Sequence, residues 1–260
     1  MAAKNTYDES KIKTLSSLEH IRLRTGMYIG RLGNGSNPDD GIYILLKEVL
    51  DNSIDEFIMG NGDRIDALLK DNKVTVRDYG RGIPLGKVVE CVSVINTGAK
   101  YNDEVFQFSV GLNGVGTKAV NALSEYFRVV SVRDGKYAEA VFERGVLKHE
   151  KQGDAKKGIK NGTLVEFIPD REIFGDYTFN LDFIEKRMWN YAYLNAGLTL
   201  TFNGASYISE NGLLDLLNAE IGEETLYTIA HFKEAKLEFA FTHTNNYGET
   251  YFSFVNGQYT

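Results

Sequence analysis

Residues 48–56, which read EVLDNSIDE, decide the fold of this chain. Glu48 and Asn52 stand four positions apart, so a helix with 3.6 residues per turn brings both to one face, with Asp55 and Glu56 one turn later. A carboxylate beside a carboxamide suits the activation of a water molecule and the binding of Mg²⁺, because hard cations prefer oxygen ligands. An ordinary solvated helix face is the alternative, and this stretch alone leaves both interpretations open.

The composition is that of an ordinary folded protein. The chain has 260 residues, a length that suits one large domain or a domain with part of another. Of these residues, 43% are hydrophobic and 25% are charged. A net charge of −7 argues against nucleic-acid binding over the entire surface of the protein, but it does not exclude a local basic patch. The single cysteine, Cys91, excludes a disulfide within the chain and a cysteine-based zinc site.

The sequence also predicts the cellular location of the protein. We find no apolar run near the ~20 residues that a membrane span requires. The first residues, MAAKNTYDESKIK, lack the apolar core of a signal peptide. We therefore expect a cytoplasmic protein without membrane contact.

The region before the central stretch predicts an arm and a loop. Residues 1–15 are polar and are expected to form the arm. Residues 24–41 contain several glycines and Pro38, which predict a loop. Asp39 or Asp40 is placed to cap the central helix, which we expect to end near residue 60.

A strand that ends in an acidic residue follows the central helix. Residues 64–69 and 73–78 predict a hairpin, and the second strand ends at Asp78, immediately before YGRGIP. Two glycines after an acid let a ligand approach the backbone, and a carboxylate there can accept a hydrogen bond from an exocyclic amine such as that of adenine. A capped turn with a solvated aspartate is the alternative, and the hexamer alone does not exclude it.

Residues 96–116, which read NTGAKYNDEVFQFSVGLNGVG, form a long stretch with little periodicity. Such a stretch is typical of a lid over a binding site or of disorder. It ends in GLNGVG ahead of a predicted helix, and glycines before a helix N-terminus expose N–H groups that favour an anion. Lys100 in the same loop is placed to reach a phosphate. The pattern is neither a Walker loop nor a dinucleotide fingerprint, because no GKS or GKT follows and no strand immediately precedes it.

The second half of the chain predicts β-structure and then helices. Strands are predicted at 127–132, 137–142, 146–149, 163–168 and 198–202, a charged loop at 152–162, and helices at 180–197 and 213–217. Near the end, residues 237–242 and 250–255 predict a hairpin around a turn at 245–248. Because the chain stops directly after a predicted strand, we expect it to be a fragment of a longer protein.

The motifs together resemble the GHKL nucleotide fold, whose three parts are a helix with an acid and an asparagine, a strand ending in DxGxG, and a lid ending in GxxGxG. The segments TGMYIG, EVLDNSIDE, DYGRGIP, GLNGVG, NALS and NGTLVEFIPD resemble, in this order, the N-terminal ATPase region of bacterial type IIA topoisomerase B subunits. The resemblance covers nearly the whole chain and is stronger to the topoisomerase IV branch than to the gyrase branch. Chaperone-like, mismatch-repair-like and histidine-kinase relatives share the three nucleotide parts but lack GMYIG and NALS.

The resemblance implies an α+β fold, namely the two-layer GHKL (Bergerat) sandwich, with helices on one face of a mixed sheet. It also implies three parts of the chain: an N-terminal arm at 1–15, the GHKL ATPase domain at 16–225, and the truncated start of an α/β transducer domain at 226–260. The family's second domain delivers a lysine to the γ-phosphate, and the segment that carries this lysine is missing from the sequence. We therefore expect the chain to bind ATP but to turn it over poorly alone.

The resemblance also assigns roles at the nucleotide. Glu48 corresponds to the general base that activates the attacking water, and Asn52 to the Mg²⁺ ligand. Asp78 corresponds to the carboxylate that binds the adenine amino group, supported by Gly82 and Thr163.

Further residues surround the nucleotide in the family. Glu56 and Arg81 correspond to an ion pair beside the adenine pocket, and Ile83 and Pro84 to its wall. Tyr7 corresponds to an arm residue that reaches the nucleotide of the partner protomer. The remaining correspondences form the phosphate lid: Lys100, Gly111, Leu112, Asn113, Gly114, Val115, Gly116 and Thr117.

The implied function is that of an ATP-driven gate for DNA. In the family, ATP binding closes a homodimer and drives passage of a DNA duplex, hydrolysis resets the gate, and a separate A-type subunit cleaves the DNA. Competitive inhibitors bind at the adenine pocket. The alternative is an ATP-dependent GHKL clamp of chaperone-like or mismatch-repair-like type.

Some positions depart from the family pattern. Thr25 stands where proline is usual, and Ile44 stands where a histidine often orients the base, so that role is unfilled or has moved. Val110 and Asn113 replace a glycine and a histidine of the lid. We expect Val110 to stiffen the loop, so these changes bear on lid closure rather than on nucleotide chemistry.

Overall fold

The computed structural model describes residues 11–98, 110, 114–221, 225–234, 237–255 and 257–260. The helices are α1 (Ser17–Leu23), α2 (Gly26–Ile29), α3 (Gly41–Ile58), α4 (Val88–Ser93), α5 (Gly116–Ala122), α6 (Arg171–Phe174), α7 (Leu181–Leu194) and α8 (Leu213–Glu220). The strands are β1 (Arg64–Lys70), β2 (Lys73–Asp78), β3 (Ser124–Arg133), β4 (Lys136–Glu143), β5 (Val146–Asp154), β6 (Gly162–Pro169), β7 (Thr199–Phe202), β8 (Ala205–Tyr207), β9 (Ala230–Glu234), β10 (Leu237–Phe241), β11 (Phe254–Val255) and β12 (Gln258–Tyr259). The predicted site residues Tyr7, Lys100, Gly111, Leu112 and Asn113 lie outside the described residues.

An eight-stranded sheet forms one layer of the fold, in the order β5-β4-β3-β6-β2-β1-β7-β8. Neighbouring strands are antiparallel except β1 and β7, which are parallel, so the sheet is mixed. In β2, Val76 lies opposite Val165 of β6, and Arg77 lies opposite Leu164. This register brings Thr163 beside Asp78 at the end of β2.

Two-residue turns connect the hairpins of the sheet. Asp71 and Asn72 join β1 to β2 with φ values of 51° and 62°. Positive φ at both turn residues is favourable in such hairpins because the backbone twist then matches that of the strands, and Asp and Asn tolerate it better than most residues. The predicted hairpin is therefore present with nearly its predicted bounds.

Helix α3 packs its apolar side against the sheet. Leu46, Leu50 and Ile54 are buried, as the 3.6-residue period requires. Val76 of β2 and Phe167 of β6 belong to the same core. Burying each large aliphatic side chain contributes roughly 1.5–3 kcal/mol, so this packing fixes α3 firmly and holds its polar face in a defined place. None of the helices in the described ranges combines the length and apolar character needed to cross a bilayer.

The loop before α3 is built around a buried carboxylate. Asp40 occupies the N-cap position, but its side chain does not cap its own helix. It accepts hydrogen bonds from the N–H groups of Gly35 (2.9 Å) and Asn37 (3.2 Å), and it pairs with Arg31. The prediction of a continuous loop over residues 24–41 was wrong in one respect, because a single helical turn, α2, lies inside it.

The predictions for the last strands needed the largest corrections. The predicted hairpin of residues 237–242 and 250–255 does not form: β10 pairs with β9, and β11 pairs with β12. An alternating pattern identifies a strand but not its partner, and residues 242–253 are not in strands. Strand β5 also extends to Asp154, into the predicted charged loop, because pairing with β4 supplies its backbone partners.

Candidate functional site

A cavity of about 840 Å³ lies beside α3, between the end of β2 and the start of α5. This volume falls within the usual range of small-molecule sites. Every predicted site residue within the described ranges lines it: Glu48, Asn52, Glu56, Asp78, Arg81, Gly82, Ile83, Pro84, Gly114, Val115, Gly116, Thr117 and Thr163. The structure thus brings together three motifs that are far apart in the sequence.

Asp78 is the most buried acid at one end of the cavity, with 5% of its surface exposed. Its Oδ1 accepts hydrogen bonds from the N–H groups of Gly80 (2.9 Å) and Thr163 (3.0 Å). Burial raises the pKa of Asp78 to about 6, although these two hydrogen bonds act to lower it. Because both bonds end on Oδ1, a donor in the cavity can approach Oδ2. The alternative is therefore half right: Asp78 caps the turn through the Gly80 N–H, but it is buried rather than solvated.

Glycines make room around Asp78. A Cβ at Gly162, whose φ is +130°, would lie 2.2 Å from the backbone oxygen of Asp78. A Cβ at Gly82, whose φ is +75°, would lie 2.8 Å from the backbone oxygen of Val132. Both positions therefore exclude side chains on steric and conformational grounds, and they let the loop after β2 lie close against β3 and β6.

Glu56 and Arg81 form the predicted ion pair at the cavity wall. The Arg81 guanidinium donates to both carboxylate oxygens of Glu56, through Nη2 at 2.9 Å and Nε at 3.1 Å. The Arg81 backbone N–H also donates to Glu56, at 2.8 Å. This bidentate ion pair holds the loop after β2 against helix α3.

Strand β3 holds the same loop from the other side. The Ser131 hydroxyl donates to the carbonyl of Ile83 at 2.6 Å, and the Arg133 guanidinium donates to the carbonyl of Gly82 at 3.2 Å. Arg133 also lines the cavity. Sequence reasoning missed this residue because it lies at the end of an ordinary strand and no local pattern distinguishes it.

Glu48 and Asn52 lie toward the other end of the cavity, against α5. The Asn52 amide donates to the Glu48 carbonyl at 2.6 Å and to the Thr117 hydroxyl at 2.9 Å. A Cβ at Gly116 would lie 1.7 Å from Oε2 of Glu48, so glycine is needed for the carboxylate to sit against the first turn of α5. The two motifs predicted separately from the sequence therefore contact each other directly.

Lys118 is a second residue that sequence reasoning missed. It lines the cavity, is 4% exposed, and donates to the carbonyls of Thr97 (2.7 Å) and Gly114 (2.6 Å). A buried ammonium requires such acceptors. Through these two hydrogen bonds, Lys118 connects the turn that precedes α5 to Thr97, which follows α4 in the chain.

Asp55 holds Val110, a residue of the predicted lid, in place. The Val110 N–H donates to Oδ1 of buried Asp55 at 2.6 Å, and the Val110 side chain belongs to the core. Asp55 was predicted on the polar face of α3, but the structure buries it beneath Val110. Its charge therefore holds the backbone at Val110.

The acidic residues around the cavity do not form a metal cage. Within the described part of the chain, no three His, Cys, Asp or Glu side chains are grouped closely enough to hold a metal ion. Mg²⁺ at nucleotide sites is usually bound through one or two protein oxygens together with phosphate oxygens and waters. Asn52 lines the cavity and offers one such side-chain oxygen.

Comparisons with known proteins found similar chains. The family described as histidine kinase-, DNA gyrase B- and HSP90-like ATPase matches residues 37–172, slightly more than half of the chain. The chain is 64% identical over 98% of its length to the B subunit of DNA topoisomerase 4 from Borreliella burgdorferi, and 35% identical over 98% of its length to the proteins of that name from Mycoplasma capricolum and Staphylococcus aureus. The crystal structure of the 43K ATPase domain of Thermus thermophilus gyrase B in complex with an aminocoumarin matches 87% of the chain with a TM-score of 0.70 and 32% identity.

The matches extend over only part of these proteins. The chain spans 41–42% of the length of the three curated relatives and 62% of the gyrase B chain. The matched family region contains α3, β2, α5 and β6, which together carry the cavity.

Proposed function

Because the chain belongs to the histidine kinase-, DNA gyrase B- and HSP90-like ATPase family, we propose that its cavity beside α3 binds ATP with the adenine at Asp78. One observation carries this proposal: Asp78 is buried, both of its hydrogen bonds from the backbone end on Oδ1, and the residue faces the cavity. The adenine amino group donates to the Asp78 carboxylate, and Ile83 and Pro84 form the wall against which the ring packs. A charge-assisted hydrogen bond of this kind contributes roughly 1.5–3 kcal/mol.

The phosphates extend toward Glu48 and Asn52. Glu48 acts as the general base for the attacking water, and Asn52 binds Mg²⁺. Mg²⁺, when bound, neutralises phosphate charge and holds the phosphates in line for attack. Gly114, Val115, Gly116 and Thr117 present backbone and hydroxyl groups to the phosphates. Tyr7, Lys100, Gly111, Leu112 and Asn113 keep the roles that the family resemblance implies.

We further propose that the chain is the ATPase part of a type IIA topoisomerase B subunit, of the topoisomerase IV branch. The 64% identity to the protein of Borreliella burgdorferi supports this assignment. ATP binding closes a homodimer gate around DNA in the cytoplasm, an A-type subunit cleaves the DNA, and hydrolysis reopens the gate. Residues 1–15 form the exchanged arm, residues 16–225 the ATPase domain, and residues 226–260 the beginning of the transducer domain.

We propose that ATP-competitive inhibitors bind the adenine end of the cavity. Asp78, Arg81, Pro84 and Thr163 line this end and offer both polar and apolar contacts. The aminocoumarin in the complex of the structural relative supports a site of this kind.

The proposed function is tested with the full-length protein and its A-type subunit. We expect DNA and the A-type subunit together to raise ATP hydrolysis. We expect Glu48→Gln to lower kcat by about 10²–10⁴-fold while nucleotide binding persists, because only the general base is lost. If DNA did not raise the rate of ATP hydrolysis, the alternative of a chaperone-like or repair-like clamp would be favoured instead.

A further inference from the structure

A charged network at the phosphate end of the cavity has no role in the function proposed so far. Asp51 lies on α3 between Glu48 and Asn52 in sequence, faces the same cavity, and is 1% exposed. Lys47 pairs with it at 2.7 Å through Nζ. Two uncharged groups complete its surroundings: Tyr191 of α7 donates a short hydrogen bond, and Gln258 of β12 donates one at 3.3 Å.

This arrangement fixes the position of the Lys47 ammonium. Asp51 cannot move, because it is buried and held by groups from α7 and β12 as well as by Lys47. Lys47 and Asp51 are also four residues apart on one helix, the spacing at which an ion pair forms without bending the backbone. The ammonium is therefore held by a carboxylate that is itself held from three sides.

The same ammonium reaches the proposed general base. Its Nζ lies 3.7 Å from Oε1 of Glu48, and both side chains are only partly exposed, at 19% and 26%. A positive charge at this distance attracts the carboxylate and restricts its rotation. Ile44, one helical turn before Glu48, carries no polar group that can do the same.

We propose that Lys47 is a positioning residue for Glu48, and that Asp51, Tyr191 and Gln258 hold Lys47 in place. This inference rests on the proposed function, because it assigns Lys47 a role only if Glu48 acts as the base. Lys47 orients the carboxylate toward the attacking water. The same lysine neutralises Asp51, so that the anionic triphosphate meets less negative charge at this end of the cavity.

The test compares kcat and KM of hydrolysis in the full-length protein and its Lys47 variants. We expect Lys47→Met to lower kcat at least about tenfold with a much smaller change in KM, since a misplaced base affects the transition state more than binding. Lys47→Arg keeps the charge and should restore most of kcat.

Lys73→Met is the matched control, because Lys73 forms a similar ion pair with Glu166 (2.9 Å) and does not line the cavity.

A double variant separates positioning from stability. Lys47→Met leaves the buried Asp51 without its cation and is expected to destabilise the fold. Lys47→Met with Asp51→Asn removes both charges and should recover stability in urea denaturation, but it should not recover kcat. Normal kcat in either the single or the double variant would overturn the inference. If Glu48→Gln itself retained hydrolysis, the proposed role of Glu48 would fail first, and the two failures are therefore distinguishable.

Discussion

At the scale of single residues, Asp78 is placed where it costs stability. Its carboxylate is buried, and the backbone N–H groups of Gly80 and Thr163, together with the charge of Arg77, compensate only part of the loss of water. A pKa of about 6, against an ordinary value of 3.8, measures this cost. Functional sites often retain such unfavourable groups because the ligand, rather than the fold, satisfies them.

We predict that Asp78→Asn stabilises the folded chain at neutral pH. The pKa is raised in the folded state, so Asp78 contributes stability fully below its ordinary pKa of 3.8 and loses that contribution as the pH rises through about 6. The difference between these two pKa values corresponds to about 3 kcal/mol of unfolding free energy at most. We expect the free energy of unfolding of the variant to be about 1–3 kcal/mol higher at pH 8. Urea denaturation of both proteins from pH 4 to pH 8 measures it. A stability difference that did not grow with pH would contradict this explanation.

At the scale of secondary-structure elements, the site depends on how closely α3 and α5 approach. Gly116, in the first turn of α5, permits the contact because a Cβ there would collide with the Glu48 carboxylate. Asn52 and Thr117 join the two helices by a hydrogen bond directly beside this point. The proposed base and the predicted phosphate segment are thus one structural unit.

We predict that Gly116→Ala impairs hydrolysis without unfolding the protein. Alanine favours a helix by about 1 kcal/mol over glycine, but its Cβ would force Glu48 out of its position. We expect kcat in the full-length protein to fall on the order of 10-fold to 100-fold, with thermal stability unchanged or raised. Gly86→Ala is the control, because a Cβ at Gly86 meets nothing within 4 Å. Equal kcat in the two variants would show that the Glu48 contact is unimportant.

Elements whose formation is local were predictable from the sequence. Helix α3 follows from its apolar period, and the hairpin of β1 and β2 follows from alternation around Asp71 and Asn72. The resemblance to the topoisomerase B family was confirmed, and with it the α+β fold. The roles of individual site residues stay predictions, although their convergence on one cavity agrees with them.

Features that depend on distant contacts were not predictable. The parallel pairing of β1 with β7 and the pairing of β9 with β10 depend on tertiary structure, which alternation does not encode. Lys118 and Arg133 are held at the cavity by hydrogen bonds to backbone carbonyls of distant residues, and a local sequence pattern does not predict such bonds. The contact between Asp51 and Gln258 joins residues 207 positions apart, so no local motif could suggest it.

At the scale of the whole molecule, the described chain contains the cavity and two small additional sheets. Strands β9 and β10 form one of them, and β11 and β12 form the other. Gln258 of β12 reaches Asp51 on α3, so the last residues of the sequence contact the phosphate end of the cavity. This contact offers a direct route by which strand β12 affects the site.

We predict that the 260-residue chain binds ATP but hydrolyses it slowly by itself. In the resembling family, a lysine from the second domain reaches the γ-phosphate, and loss of such a charge commonly costs several orders of magnitude in phosphoryl transfer. Steady-state hydrolysis by the chain, compared with the full-length protein at equal concentration, measures the deficit. Rapid and saturable hydrolysis by the chain as a monomer would contradict the prediction.

The central claim is that the cavity beside α3 binds ATP through Asp78. The most direct test is calorimetric titration of the chain with a non-hydrolysable ATP analogue and Mg²⁺, beside Asp78→Asn and the control Asp71→Asn in the exposed β1–β2 turn. We predict that the chain and the control bind alike, and that Asp78→Asn, although folded, weakens binding by about 10-fold to 100-fold, the equivalent of one charge-assisted hydrogen bond. Unchanged affinity in Asp78→Asn would contradict the claim.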